Sequence, residues 1–128
     1  MPYHKALLLL FLFFAGCGSQ APPPNLPTVY KVSGKVLDKA GQPVAGGTVQ
    51  FESIKTQGTT AIGEVGPDGT FQIRTMVDGH RLEGAVVGEQ RVTYIPQMTQ
   101  DQAGAIPVVL PQSLDVKPQD NLDVVLKL

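Results

Sequence analysis

The chain has no tryptophan, one cysteine and two histidines, and its ten basic side chains nearly cancel its eleven acidic ones. Each shortage excludes something. A lone cysteine cannot form an internal disulfide, so the fold must rest on packing and backbone pairing. Near-neutral charge without a run of either sign gives no basic patch of the kind nucleic acid requires. A zinc site takes about three or four nitrogen, sulfur or carboxylate ligands, and His80 is the one histidine outside the first sixteen residues. No stretch approaches the roughly 20 apolar residues of a membrane-crossing helix.

What is present begins at the amino end. Behind Lys5 an apolar run extends from Ala6 to Phe14, and Ala15 and Gly16 then precede Cys17. A charged start, an apolar middle and small residues before a cut make the layout of a secretory signal peptide. Phe14-Ala15-Gly16-Cys17 resembles the lipobox of bacterial lipoproteins, although Phe14 stands where that family usually has Leu. The resemblance implies a signal peptide over residues 1–16, a diacylglycerol on the Cys17 thiol, and a fatty acid such as palmitate on the new amino terminus. The residue types suit the chemistry, because small side chains admit the peptidase and only a thiol gives the thioether. At about 0.8 kcal/mol per buried methylene, two or three acyl chains hold a protein to a membrane almost permanently. Loss of Lys5 with the leader leaves nine basic against eleven acidic side chains, a formal balance of −2. Gly18 and Ser19 lack the Asp that retains lipoproteins at the inner membrane in the best-understood sorting system. The expected location is therefore the outer membrane, with the domain in the periplasm or at the cell surface.

Residues 17–28 combine the lipidated cysteine with a proline-rich tether that includes Pro22-Pro23-Pro24. Polyproline II rises about 3.1 Å per residue, so this segment would hold a domain a few tens of ångströms from the membrane. From Tyr30 the period becomes two: Val32, Gly34 and Val36 alternate with Lys31, Ser33 and Lys35, as in a strand with one dry face. The same pattern predicts strands carrying Val49 and Phe51, Thr60 to Glu64, Phe71 to Thr75, and Val92 and Tyr94. It predicts a last strand with Leu122, Val124, Leu126 and Leu128 inward. Gly66-Pro67-Asp68-Gly69 sets a tight reversal that makes a hairpin. Asp78-Gly79 ends a strand, Gly84 to Gly88 reads as a loop plugged by Val86 and Val87, and Pro107 and Pro111 confine Met98 to Gln112 to loop or edge strand. About seven short strands without an amphipathic helix predict an all-β, antiparallel two-sheet sandwich over residues 29–128.

Val32-Ser33-Gly34-Lys35-Val36, Gly41-Gln42-Pro43-Val44, Gly47-Thr48-Val49-Gln50-Phe51, Pro67-Asp68-Gly69-Thr70-Phe71 and Gly88-Glu89-Gln90-Arg91-Val92 occur in that order. Together they resemble the carboxypeptidase regulatory-like domains. The resemblance covers nearly all of 29–128 and implies a transthyretin-like sandwich of the prealbumin or immunoglobulin-like type with Greek-key connections. With the lipobox, the chain looks like the small lipoproteins of planctomycete-type bacteria. Gly34 and Gly47 are then scaffold residues, needed where a side chain would crowd a neighbour or a bulge would form.

The inventory for catalysis is thin. His80 sits in an Asp-Gly-His-Arg turn without a second histidine or a cysteine beside it. Asp38, Asp68 and Asp78 lie in turns near glycine, where Asp bonds its own backbone, and they lack the ligand spacing of a calcium loop. Hydroxyisourate hydrolases are transthyretin-like and end in Tyr-Arg-Gly-Ser, whereas this chain ends Val124-Val125-Leu126-Lys127-Leu128. No catalytic residue, metal or cofactor is therefore expected, and Cys17 is the one modified site. The expected function is that of a non-catalytic envelope lipoprotein, held to the membrane by lipid, whose sandwich is structural or contacts an envelope protein. A glycan- or peptide-binding module is the alternative, and a transthyretin-like hydrolase stands behind both.

Overall fold

The structure, a computed structural model, describes residues 26–56, 58–98 and 106–128. Residues 1–25, on which the expected signal peptide, Cys17 and most of the expected tether fall, lie outside the described residues. Wherever alternating β-branched and polar side chains are bounded by turn residues, a strand forms. The strands are β1 (Val29–Tyr30), β2 (Val32–Leu37), β3 (Thr48–Ser53), β4 (Thr60–Glu64), β5 (Thr70–Gln72), β6 (Arg74–Val77), β7 (His80–Glu83), β8 (Ala85–Val86), β9 (Gly88–Ile95), β10 (Val108–Val109), β11 (Leu114–Val116) and β12 (Asn121–Lys127). The protein is an all-β sandwich. Among the described residues the strands number twelve, against about seven expected, because bends divide several runs and because β7 and the β1–β8 pair add to those expected.

The larger sheet has the order β10-β9-β3-β4-β6-β7, with β11 also paired to β9. The smaller sheet runs β12-β2-β5, and β1 and β8 form a separate ribbon. Val49, Phe51 and Val92 of the large sheet are fully buried in one cluster with Val32, Val36, Phe71 and Leu126 of the small one. Phe51 and Phe71 meet edge to face across the core, with ring centroids 6.3 Å apart. Side chains of this size contribute roughly 1.5–3 kcal/mol each when fully buried.

The expected hairpin around Gly66-Pro67-Asp68-Gly69 forms, closed by a hydrogen bond from the Gly69 amide to the Gly66 carbonyl of 3.0 Å. Its second arm is not one strand, however. Residues 70–72 pair with β2 in the small sheet, and after Ile73 the chain pairs with β4 in the large sheet. Asp78-Gly79 does more than end a strand. Both residues have positive φ, 48° and 79°, and Val77 pairs with His80, so the dipeptide is the two-residue turn of a further hairpin.

Two expectations are corrected. The segment from Gly84 to Gly88 is not a plugged loop, because Ala85 and Val86 pair with Tyr30 and Val29. Val86 is buried but Val87 is 46 % exposed, since successive strand residues face opposite sides. The second correction is in β12, which runs parallel to β2, whereas every other pairing between strands among the described residues is antiparallel. Asn121 lies opposite Val32 and Val124 opposite Gly34, so β12 carries one extra residue. The bulge includes Asp123 at φ 64°. It reverses the phase of the alternation, leaving Leu122 58 % exposed while Leu126 stays buried.

Two glycines stand where a neighbouring strand leaves no room for a side chain. A Cβ built on Gly34 would stand 1.8 Å from the Val124 carbonyl oxygen, so β12 approaches β2 at the bulge more closely than any side chain allows. Gly47, at φ 94°, is pressed against the Tyr94 hydroxyl and the Ile95 carbonyl, where a Cβ would come within 2.6 and 2.7 Å.

Candidate functional site

A cleft of about 820 Å³ lies over the outward faces of β2, β5 and β12, bounded on its far side by β4 and the β6–β7 hairpin. The change of sheet at Ile73 creates it. Residues 70–72 belong to one sheet and 74–77 to the other, so their shared outer face bends and leaves a hollow at the bend. The period of two then decides what lines it. Ser33 and Lys35, Thr70 and Gln72, and Val125 are the partners of inward-facing neighbours, and their side chains point into the cleft.

Six charged side chains reach the lining, and their signs balance: Lys35, Arg74 and Arg81 against Glu64, Glu83 and Asp123. Arg81 Nε donates to Glu83 Oε1 at 2.8 Å, and Arg74 Nη2 stands 3.9 Å from Glu64 Oε1. Such exposed pairs are worth about 0.2–1 kcal/mol to stability, so they open readily to an incoming ligand. Lys35 and Asp123 take part in no ion pair among the described residues. The one ring in the lining, Phe71, is only 3 % exposed and offers no flat face to a sugar.

The residues singled out from sequence do not converge on this cleft. Cys17 lies outside the described residues. His80 is exposed at the head of β7, on the hairpin turn. Asp38 accepts hydrogen bonds from the Ala40 and Gln42 amides, both at 2.9 Å, and closes its own turn. Asp68 accepts from the Thr70 hydroxyl at 2.6 Å and the Thr70 amide at 3.1 Å, and the hydroxyl bond foremost lowers its carboxyl below the usual range. Asp78 occupies the first of the two left-handed positions of the tight turn. Among the described residues, no three His, Cys, Asp or Glu side chains gather as a metal site would require.

Buried polar groups are spent on scaffolding. Thr75 Oγ1 donates to the Gly84 carbonyl at 2.7 Å, and Gln90 Nε2 to the Val86 carbonyl at 3.0 Å. The Tyr94 hydroxyl donates to the Gly46 carbonyl at 2.8 Å, and burial raises its pKa above the usual phenol value. Among the described residues, every buried side-chain nitrogen and oxygen has a partner.

Sequence reasoning did not foresee the cleft residues. Arg74 reads as the wet side of a strand, while Arg81 and Glu83 follow an apparent strand end, and only the β6–β7 hairpin and the change of sheet at Ile73 turn these positions into a concave wall. No family model, curated protein or solved structure matches this chain.

Proposed function

We propose that this protein is a non-catalytic envelope lipoprotein, anchored through lipid on Cys17, whose β-sandwich docks a second envelope protein in the cleft over β2, β5 and β12. The carboxypeptidase regulatory-like resemblance belongs to the same reading, as does delivery to the outer membrane. The observation that carries it is the lining of the cleft: three cations and three anions on strand faces, without an exposed ring. Balanced charge of this kind complements a mixed-charge protein surface and fixes its orientation. Sugar sites instead rely on aromatic faces, so the lining favours a protein over a glycan.

Two experiments test the proposal. Radiolabelled palmitate is expected to enter the unsubstituted chain in its native host, and Cys17→Ser is expected to abolish both labelling and membrane fractionation. Affinity capture from gently solubilised envelopes is expected to retain a partner that Lys35→Glu/Arg81→Glu releases. Absence of label from the unsubstituted chain refutes the anchor, and a partner retained equally by the double variant refutes the cleft.

A further inference from the structure

The small sheet ends on β12, and among the described residues no strand pairs with its far side. The open backbone groups can be assigned. Leu128 donates its amide to the Leu37 carbonyl of β2 at 3.0 Å, and the parallel ladder alternates, so Val124, Leu126 and Leu128 turn their backbone toward β2. Val125 and Lys127 therefore turn theirs outward, to the open edge. Their side chains stand on the solvent face, where Val125 is 54 % exposed.

An open edge is a template for another strand, and proteins commonly guard it with a bulge or a lysine. β12 has both, the bulge at Asp123 and the lysine at 127. Against an arbitrary strand Lys127 is a deterrent. Against an antiparallel copy of β12 it is not, because when Val125 lies opposite Val125 of the second copy, Lys127 faces Asp123 and Asp123 faces Lys127. Both ion pairs fall on one face and flank the exposed valines. Shifting the centre by one residue either way loses both pairings. The arrangement is two-fold symmetric, the commonest form of self-association.

We infer that the outer edge of β12 is a self-association surface on which a second copy of this chain adds antiparallel, centred on Val125, joining the two small sheets into one continuous sheet.

Cross-linking in the full chain reads the register. Hydrogen-bonded antiparallel partners have Cα atoms about 5.5 Å apart, within the roughly 4.4–6.8 Å that a disulfide spans. Mild oxidation of Val125→Cys is expected to give covalent dimer at about ten times or more the yield of Met76→Cys, a similarly exposed position on β6, once the yield of the unsubstituted chain is subtracted. Equal yields at the two positions would overturn the inference. Charge exchange provides a second reading with folded variants, as verified by circular dichroism. Lys127→Glu alone and Asp123→Lys alone each set like charges opposite one another and are expected to weaken self-association about tenfold, while the two variants mixed are expected to pair with each other. If the mixture associates no better than either variant alone, the proposed register is wrong.

Discussion

β3 on β9 and β2 on β12 are the longest pairings of the two sheets, and they obey different rules. Thr48 to Ser53 lies against Ile95 to Gln90 in unbroken antiparallel register over six pairs, with Val49, Phe51 and Val92 fully buried. β2 and β12 run parallel, and a bulge breaks their register at Asp123. In the first pair each side chain's fate follows from its parity. In the second, parity holds only downstream of the bulge, so Leu122 and Leu126 carry the same residue type and opposite burial.

The sharpest way to probe the regular pair is to remove its largest fully buried side chain. Phe51→Ala is expected to cost about 3–5 kcal/mol, which urea unfolding of the purified protein would register as a loss of much of a domain's typical 5–15 kcal/mol. The bulged pair is expected to split two leucines. Leu126→Ala should cost about 2–5 kcal/mol, whereas Leu122→Ala should stay within about 0.5 kcal/mol at dilute protein. Equal costs would mean that the bulge does not reset the phase.

Gly34→Ala probes the close approach itself. The added methyl would meet the Val124 backbone, which has no rotamer to escape by, so about 3 kcal/mol is expected, at the upper end for overpacking. A smaller effect than that of Gly34→Ala is expected of Tyr94→Phe, which removes the hydrogen bond to Gly46 and should cost about 1 kcal/mol. That substitution also carries a pH signature. Burial raises the Tyr94 pKa in the folded state, so its contribution is complete below the ordinary phenol value of 10.0 and is lost as pH rises through the folded value. Unfolding midpoints of the two proteins are expected to converge in alkali, and a constant gap across that range would contradict the assignment.

The fold class was legible because alternation is a local property. Val32, Val36, Val49, Phe51, Phe71, Ile73, Val92 and Leu126 are inward by period alone, and all are buried. Asp78-Gly79 is a strong hairpin signal between two strands, but without an evident strand after it the pair marks only a strand end. The bulge was not legible. It depends on Gly34 of a strand some 90 residues away admitting the Val124 carbonyl, and no window of sequence contains both. The cleft was hidden for a related reason. Thr70, Gln72 and Arg74 occupy one face of what reads as a single strand, and their change of partners at Ile73 is decided by β2 and β4.

That crossing has a mechanical meaning. The chain passes from the small sheet to the large one within a single residue, without a loop, so the backbone itself stitches the two layers together at Ile73. The layers cannot slide past each other or part there while both sets of ladder bonds hold. Opening either sheet next to the stitch pulls on the other, which should make them one cooperative unit, with amides of Phe71 and Thr75 exchanging with solvent at a common slow rate.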